Sequence, residues 1–381
     1  MPGPLAGLRV VELAGLGPGP FAAMMLSDMG AEVLKVDRAS SARGGNPDAP
    51  PADVLSRGRE SIGVDLKHPD GVETVLTLIE SADILIEGFR PGVCERLGIG
   101  PETCLARNPK LVFGRMTGWG QDGPWADRAG HDINYVALSG TLSMIGRSDD
   151  RPVPPINLVG DFGGGGMLLA FGVLAALFER STSGRGQVVD AAMVDGSALL
   201  ASMMYGMKAM GVWEGGRGGN MLDTGAHFYE VYETADSKFV SVGGIEPQFY
   251  AELLDRLGLD PEELPRQNDA AKWAESKAIF AERIASKTRA EWEEIFEGSD
   301  ACFAPVLEPE EAMLHPHNVD RATFVDVAGV PQPAPAPRFD RTPPATPKPP
   351  AHLGQNTDEA LANWGFTGEQ LEALRTSGAI A

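Results

Sequence analysis

Leu8-Arg9-Val10-Val11-Glu12-Leu13-Ala14-Gly15-Leu16-Gly17-Pro18-Gly19-Pro20-Phe21 opens on a β-rich run and breaks at a glycine–proline turn. Phe21 to Met29 then reads as a helix and Val33 to Val36 as a second strand. Strand, helix and strand in so short a span form a β–α–β unit, which predicts a parallel sheet. Further along, Pro69-Asp70 starts a helix that runs to Ala82, with proline at a first helical position, where its missing N–H costs nothing. Asp83–Phe89, Leu111–Met116 and Gln187–Asp190 read as further strands, the last after the turn Ser183-Gly184-Arg185-Gly186. A Met- and Ala-rich helix follows to about Met210. These elements predict a large Rossmann-like α/β domain over residues 1–200, completed by 328–381.

Glycines thicken between Gly211 and Gly225, so 201–226 reads as a linker. Residues 227–327 read as a smaller α+β domain. It has a meander over Phe228–Val242 turning at Ala235–Lys238, then helices at Pro247–Leu257, Lys272–Ala285 and Arg289–Phe296. Nine prolines between Pro331 and Pro350 predict an extended segment, neither helix nor central strand, running over a surface. A short helical tail is expected at Thr357–Thr376.

At 381 residues the chain is long enough for two cores. Its net charge of −21 argues against nucleic acid as a partner. Cys94, Cys104 and Cys302 form no CxxC pair, which gives no metal or disulfide framework and favours a reducing compartment. The first residues lack a basic segment followed by an apolar one, so no secretory leader is expected. The longest apolar run, Met167–Phe178, is 12 residues, short for a bilayer span. The last residues, Gly378-Ala379-Ile380-Ala381, carry no organelle address. A cytoplasmic protein with no membrane partner is expected.

Gly15, Gly17 and Gly19 suggest a dinucleotide loop, and Asp37 lies twenty residues after Gly17, where a ribose-binding acid would sit. The third glycine of GxGxxG, however, falls at Pro20. A tight β–α turn needing glycine backbone geometry is the better reading.

Two residues carry chemistry. His131 stands in Ala129-Gly130-His131-Asp132-Ile133-Asn134-Tyr135, and Asp161 follows thirty positions later in Asn157-Leu158-Val159-Gly160-Asp161, before four glycines and an apolar helix. An imidazole and a carboxylate on opposite faces of one carbon can remove its proton from one side and return it to the other. Asp161 is expected at the N-terminus of a helix over Phe162–Phe178, where backbone N–H groups favour the anion. Gly163 to Gly166 suit a helix poorly unless something approaches the backbone closely. Met203, Met204, Met207 and Met210 have helical spacing, which more often means core packing than a binding surface.

Together several stretches resemble one family, the class III CoA-transferases (CaiB/BaiF-like). They are Leu8–Ala14, Gly30–Arg38, Val64–Lys67, Glu87–Gly92, Met116–Gln121, Gly130–Tyr135, Asn157–Gly165, Gly186–Met193 and Ile245–Tyr250, and they span nearly the whole chain. A Gly/Pro/Ala-rich loop around Arg43–Leu55 is extra length. The resemblance implies an interlocked homodimer, with the active site between the large domain of one chain and the small domain of the other. It also implies α-epimerisation of 2-methylacyl-CoA thioesters through an enolate, without metal or other cofactor, CoA being part of the substrate.

By the same resemblance, His131 serves the S face and Asp161 the R face, and Glu246 hydrogen-bonds the histidine from the small domain. Asn157 and the Asp132 backbone N–H are candidates for polarising the thioester oxygen. Arg38, Lys67, Arg90 and Arg96 would meet CoA phosphates, as an acidic protein needs dedicated cations there. Val64, Asp65, Leu66 and Lys67, with Gly88, Phe89 and Arg90, would border adenosine and pantetheine. Gly130, Ile133, Asn134 and Tyr135 would run beside the thioester, and Tyr229 would line the pocket. The alternative within the family is a CoA-transferase in which Asp161 attacks the acyl-CoA to form a mixed anhydride. That chemistry leaves His131 without a task. A CoA-binding regulatory protein would need neither residue.

Overall fold

The computed structural model describes residues 3–381. Met1 and Pro2, at the head of the stretch read for a leader, lie outside the described residues. Two compact units divide the chain. Unit 1 comprises the chain up to Ser139, Ile156–Ala201 and Ala322–Ala381, and unit 2 comprises Gly140–Pro155 and Ser202–Arg321.

Unit 1 is built on β1 (Arg9–Leu13), α1 (Pro18–Asp28), β2 (Glu32–Arg38), β3 (Glu60–Val64), α2 (Pro69–Ser81), β4 (Ile84–Glu87), α3 (Val93–Arg96), α4 (Pro101–Arg107) and β5 (Val112–Thr117). There follow α5 (Asp132–Leu138), a wide π-helical segment Leu158–Met167 continuing into α6 (Leu168–Ser183), β6 (Val188–Ala192) and α7 (Met193–Leu200). The six strands pair in parallel in the order β3-β2-β1-β4-β5-β6. Alternate residues face opposite ways, as a strand's period of two dictates. Val11, Leu34, Leu85 and Phe113 pack on one face with Val75, Leu78 and Ile79 of α2. Val10, Val33, Ile84 and Val112 pack on the other with Ala23 and Leu26 of α1 and Leu169 and Val173 of α6. Helices on both faces of a parallel sheet complete the expected α/β architecture.

The helix after Asp161 begins earlier than the sequence predicts. Asn157 is its N-cap, and Asp161 lies inside the first turn rather than at the cap. From Leu158 to Ser183 the helix runs 26 residues, so among the described residues one helix is long and apolar enough to cross a membrane, contrary to the count of 12. Its glycines answer to packing instead. A Cβ on Gly164 would lie 2.7 Å from the Ser197 nitrogen, and one on Gly196 would lie 1.8 Å from the Gly164 oxygen. A Cβ on Gly166 would lie 2.7 Å from the Pro18 carbonyl. The close approach is thus made by α7 and α1. Leu169, Ala170, Val173 and Ala176 are buried, whereas Phe171 and Phe178 are 71% and 80% exposed.

Unit 2 contains α8 (Ser202–Ala209), β7 (Glu230–Glu233), β8 (Phe239–Val242), α9 (Pro247–Leu257), α10 (Trp273–Ile284), α11 (Arg289–Phe296), β9 (Phe303–Val306), α12 (Pro309–Leu314) and α13 (Pro316–Asp320). The strands form an antiparallel sheet, β7-β8-β9. Phe228, Tyr250, Phe280 and Trp292 fill its core. The stretch read as a linker over 201–226 instead contains α8 and a helical turn at Met221–Gly225, and 202–226 belongs to unit 2 together with 140–155. None of the α8 residues is buried, and Met203 and Met210 are 55% and 70% exposed. The core-packing expectation for these methionines therefore fails.

Back in unit 1, β10 (Phe324–Val327) and β11 (Val330–Pro333) form a hairpin, followed by α14 (Thr357–Asn363) and α15 (Gly368–Ser377). The proline-rich segment is extended and anchored, its Lys348 carbonyl accepting the Gly58 N–H at 2.9 Å. The buried Arg57 guanidinium ties Asp28, Gln332 and the Pro333 carbonyl together.

Candidate active site

Strand order reverses direction between β1 and β4. Crevices at the carboxyl ends of strands at such a switch point are where open α/β sheets bind ligands. A cavity of about 380 Å³ lies there, lined by the loop Gly15–Pro20 after β1, Gly88–Pro91 after β4, Met116–Trp119 around the end of β5, and Gly130, His131, Tyr135 and Asp161. Two elements far apart in sequence thus bring His131 and Asp161 to one cavity.

His131 is the N-cap residue of α5, and it is exposed. Asn134 fixes its backbone by accepting the His131 N–H at 3.0 Å. The preceding loop is stiffened by aromatic rings. Trp119 meets Trp125 and Tyr135 edge-on at 5.0 and 4.7 Å, and the Tyr135 hydroxyl donates to the Gly130 carbonyl. Arg128 lies 4.6 Å over the Trp125 ring.

Asp161 is half-buried and held from two sides. The Asn157 amide donates to its Oδ2 at 2.6 Å. Its own backbone N–H donates to Asp132 Oδ1 at 2.7 Å. One N–H of the Asn157 amide is thus given to the aspartate. Asp132 is buried and its Oδ2 has no partner, so burial, reinforced by the nearby Asp161 charge, pushes its carboxyl above the usual range. The sequence singled out Asp132 for its backbone N–H. The structure adds a task for its side chain, which orients the turn that carries Asp161.

Behind the loop after β4 sits a network that sequence reasoning missed. Glu87, wholly buried, accepts the Phe89 N–H at 2.7 Å and the Arg115 Nε–H at 2.8 Å, and Arg115 reaches on to Glu95. Burial raises the Glu87 carboxyl, while Phe89 and Arg115 oppose that shift. The network sets the course of Gly88-Phe89-Arg90 along the cavity. A charged residue in the middle of two apolar strand runs was its only trace in the sequence.

Of the residues singled out from sequence, Gly88, Phe89, Arg90, Gly130, His131, Tyr135 and Asp161 line the cavity. Asp132, Ile133, Asn134 and Asn157 stand next to it in sequence, behind or beside its wall. Arg38 ends β2, Lys67 follows β3 and Arg96 ends α3; all three are exposed, as is Arg90. Arg38, Lys67 and Arg90 thus stand at or just beyond the carboxyl ends of β2, β3 and β4. Val64 is buried in the core, Leu66 packs against it, and Asp65 accepts the Lys67 N–H at 2.9 Å. Glu246 and Tyr229 belong to unit 2. Glu246 is the exposed N-cap of α9, and Tyr229 is 38% exposed beside Gly243.

A buried polar pair in unit 2 stands behind Glu246. His227 is fully buried, its Nε2 2.8 Å from the Tyr250 hydroxyl, with Phe228 and Phe280 edge-on to its ring. Burial, and secondarily the Lys277 charge, lowers the imidazole to about 4. Tyr250 lies one turn into α9, its N–H donating to the Glu246 carbonyl at 2.9 Å.

The CoA-transferase family III profile matches residues 5–357, and the chain belongs to the class III CoA-transferase family. An alpha-methylacyl-CoA racemase of Mus musculus is 51% identical over 375 residues, covering 98% of this chain and 96% of that protein. An alpha-methylacyl-CoA racemase of Homo sapiens is 46% identical over 385 residues, covering 99% and 97%. Among solved structures, a CaiB/BaiF family protein from Brucella suis superposes with a TM-score of 0.81 at 25% identity, covering 96% of this chain and 100% of that one.

Proposed function

We propose that this chain is an α-methylacyl-CoA racemase, interconverting 2R- and 2S-methylacyl-CoA thioesters. One observation carries the reading: an imidazole and a carboxylate, His131 and Asp161, line a single cavity at the switch point of the sheet. A thioester acidifies its α-carbon because deprotonation places charge on the carbonyl oxygen. His131 takes the α-proton of the 2S substrate, an enolate forms, and Asp161 delivers a proton to the opposite face. The 2R substrate runs the same path in reverse. The Asp132 backbone N–H, in the first turn of α5 where no intrahelical carbonyl reaches it, is assigned to the enolate oxygen. The reading gives Glu246, from unit 2 of a second copy, the task of orienting the imidazole and stabilising its cation. Arg38, Lys67, Arg90 and Arg96 are assigned to the CoA phosphates. The apolar face that α6 leaves open supports a homodimer, and the exposed Met203 and Met210 supply apolar surface for an acyl chain. No resident metal or redox cofactor enters this chemistry. The free thiols of Cys94, Cys104 and Cys302 fit a cytoplasmic setting.

The test is incubation of pure 2R-methylacyl-CoA with the enzyme in deuterated water, without an acyl acceptor. Loss of chirality with α-deuterium uptake, abolished in His131→Ala and Asp161→Ala, is the expected result. CoA transfer to an added carboxylate, dependent on Asp161 alone and without α-exchange, overturns the reading in favour of a transferase.

A further inference from the structure

Gly17 caps α1 with φ 71° and ψ −114°. A residue before proline normally takes an extended conformation at negative φ. Gly17 takes its mirror image, which only glycine adopts freely. The consequence falls on Asp161. A Cβ built on Gly17 would stand 3.2 Å from Asp161 Oδ2 and 3.6 Å from its carboxyl carbon. That same Oδ2 accepts the Asn157 amide at 2.6 Å. Among the described residues no hydrogen bond reaches Oδ1. The start of α1 cannot drift away from this turn: a Cβ on Gly165 or Gly166 would meet Pro18, and Phe21 packs on Phe162 with ring centroids 4.9 Å apart. Gly17, Asp161 and His131 all line the same cavity.

We propose that Gly17 and Asn157 form a clamp on Asp161 Oδ2, with Gly17 as a positioning residue, so that Oδ1 is the oxygen that exchanges a proton with the substrate α-carbon on the Asp161 face. Asn157 holds Oδ2 by its N–H, and the bare Cα of Gly17 lets the carboxylate lie against the chain. A methyl at position 17 presses on the clamped oxygen and turns the carboxylate, leaving the His131 imidazole in place. The defect is therefore confined to one face. A misplacement on the order of 1 Å costs up to about a hundredfold in rate.

This inference rests on the racemase reading, and its test separates the two. The α-proton exchange of 2R- and 2S-methylacyl-CoA in deuterated water is measured separately for the wild type, Gly17→Ala and Asn157→Ala, alongside inversion. In both variants the 2S substrate is expected to keep exchanging with retention through His131. Exchange of the 2R substrate, and inversion from either side, are expected to fall by about tenfold to a hundredfold. Asn157→Ala leaves the backbone at position 17 unstrained, so it carries the test if Gly17→Ala does not fold. Wild-type protein that exchanges neither enantiomer refutes the racemase reading. Wild-type exchange with equal loss for both enantiomers in a folded variant, or with no loss, refutes the clamp alone.

Discussion

Acidification should weaken unit 2 through His227. The imidazole is fully buried, with Nε2 on the Tyr250 hydroxyl and Nδ1 without a partner. Its folded value lies at about 4 against an ordinary 6.5. The folded state therefore keeps the ring neutral where the unfolded chain already binds a proton, and stability is complete above pH 6.5 and lost as pH falls toward 4. Linkage puts the loss at about 2 kcal/mol by pH 5 and about 3 kcal/mol by pH 4. Other groups titrate in this window, so the wild type is compared with His227→Phe, which fills the aromatic box but cannot titrate. At pH 7 the variant should be less stable by about 1–3 kcal/mol, because the buried Tyr250 hydroxyl loses its partner. Urea unfolding at half-unit pH steps, followed by fluorescence of the buried Trp292, reads the difference. The wild-type advantage should shrink steadily below pH 6.5 and reverse or vanish near pH 4. A difference that stays flat from pH 7 to 4 refutes the argument.

Three further outcomes follow from the geometry. Arg115→Met strands the buried Glu87 carboxylate and should cost about 3–5 kcal/mol. As Glu87 is already raised, acidification should protonate it in the fold and restore part of that loss; urea unfolding at two pH values measures both. Gly196→Ala places a Cβ 1.8 Å from the Gly164 carbonyl oxygen, a backbone atom, so α7 must separate from the helix carrying Asp161. The expected result is a loss of about 1–3 kcal/mol or more in melting experiments, together with a sharp drop in activity. Racemisation in either direction needs one of His131 and Asp161 protonated and the other not, so its rate against pH should form a bell; a monotonic rise through the neutral range contradicts the pairing.

What the sequence made legible was what hydrophobic periodicity and turn chemistry encode. The unit from Leu8 to Val36, the strands before Phe89 and after Leu111, and the helices α9, α10 and α11 fall close to where apolar spacing puts them. β3 escaped because Glu60-Ser61-Ile62-Gly63-Val64 carries a charge, a hydroxyl and a glycine in five positions, and only pairing with β2 makes it a strand. The start of the Asp161 helix escaped for a different reason. The sequence pattern puts it at Phe162, whereas the helix starts one turn earlier at Leu158, a turn held by the Asp132 side chain and by the close packing of α1 and α7 on its glycines. The clamp on Asp161, the side-chain task of Asp132 and the Glu87–Arg115 network lie in hydrogen bonds across the fold, which local pattern does not record.

Asp161 alone does not decide the chemistry. A carboxylate at the head of a glycine-rich helix serves a nucleophile that attacks a thioester as well as a base that takes a proton. Attack on a carbonyl needs one oxygen and open space on one side of the substrate. Proton transfer through an enolate needs a second acid–base group on the opposite side and a rigid distance between the two. The rings of Trp119, Trp125 and Tyr135 and the Asn134 contact spend several interactions on fixing the loop and cap of His131, and Asn157, Asp132 and Gly17 spend several more on fixing Asp161. A transferase gives the imidazole held by the first set no proton to move. The interactions that fix both residues at one cavity are what a two-base reaction requires, and they are the physical reason for preferring racemisation within this family.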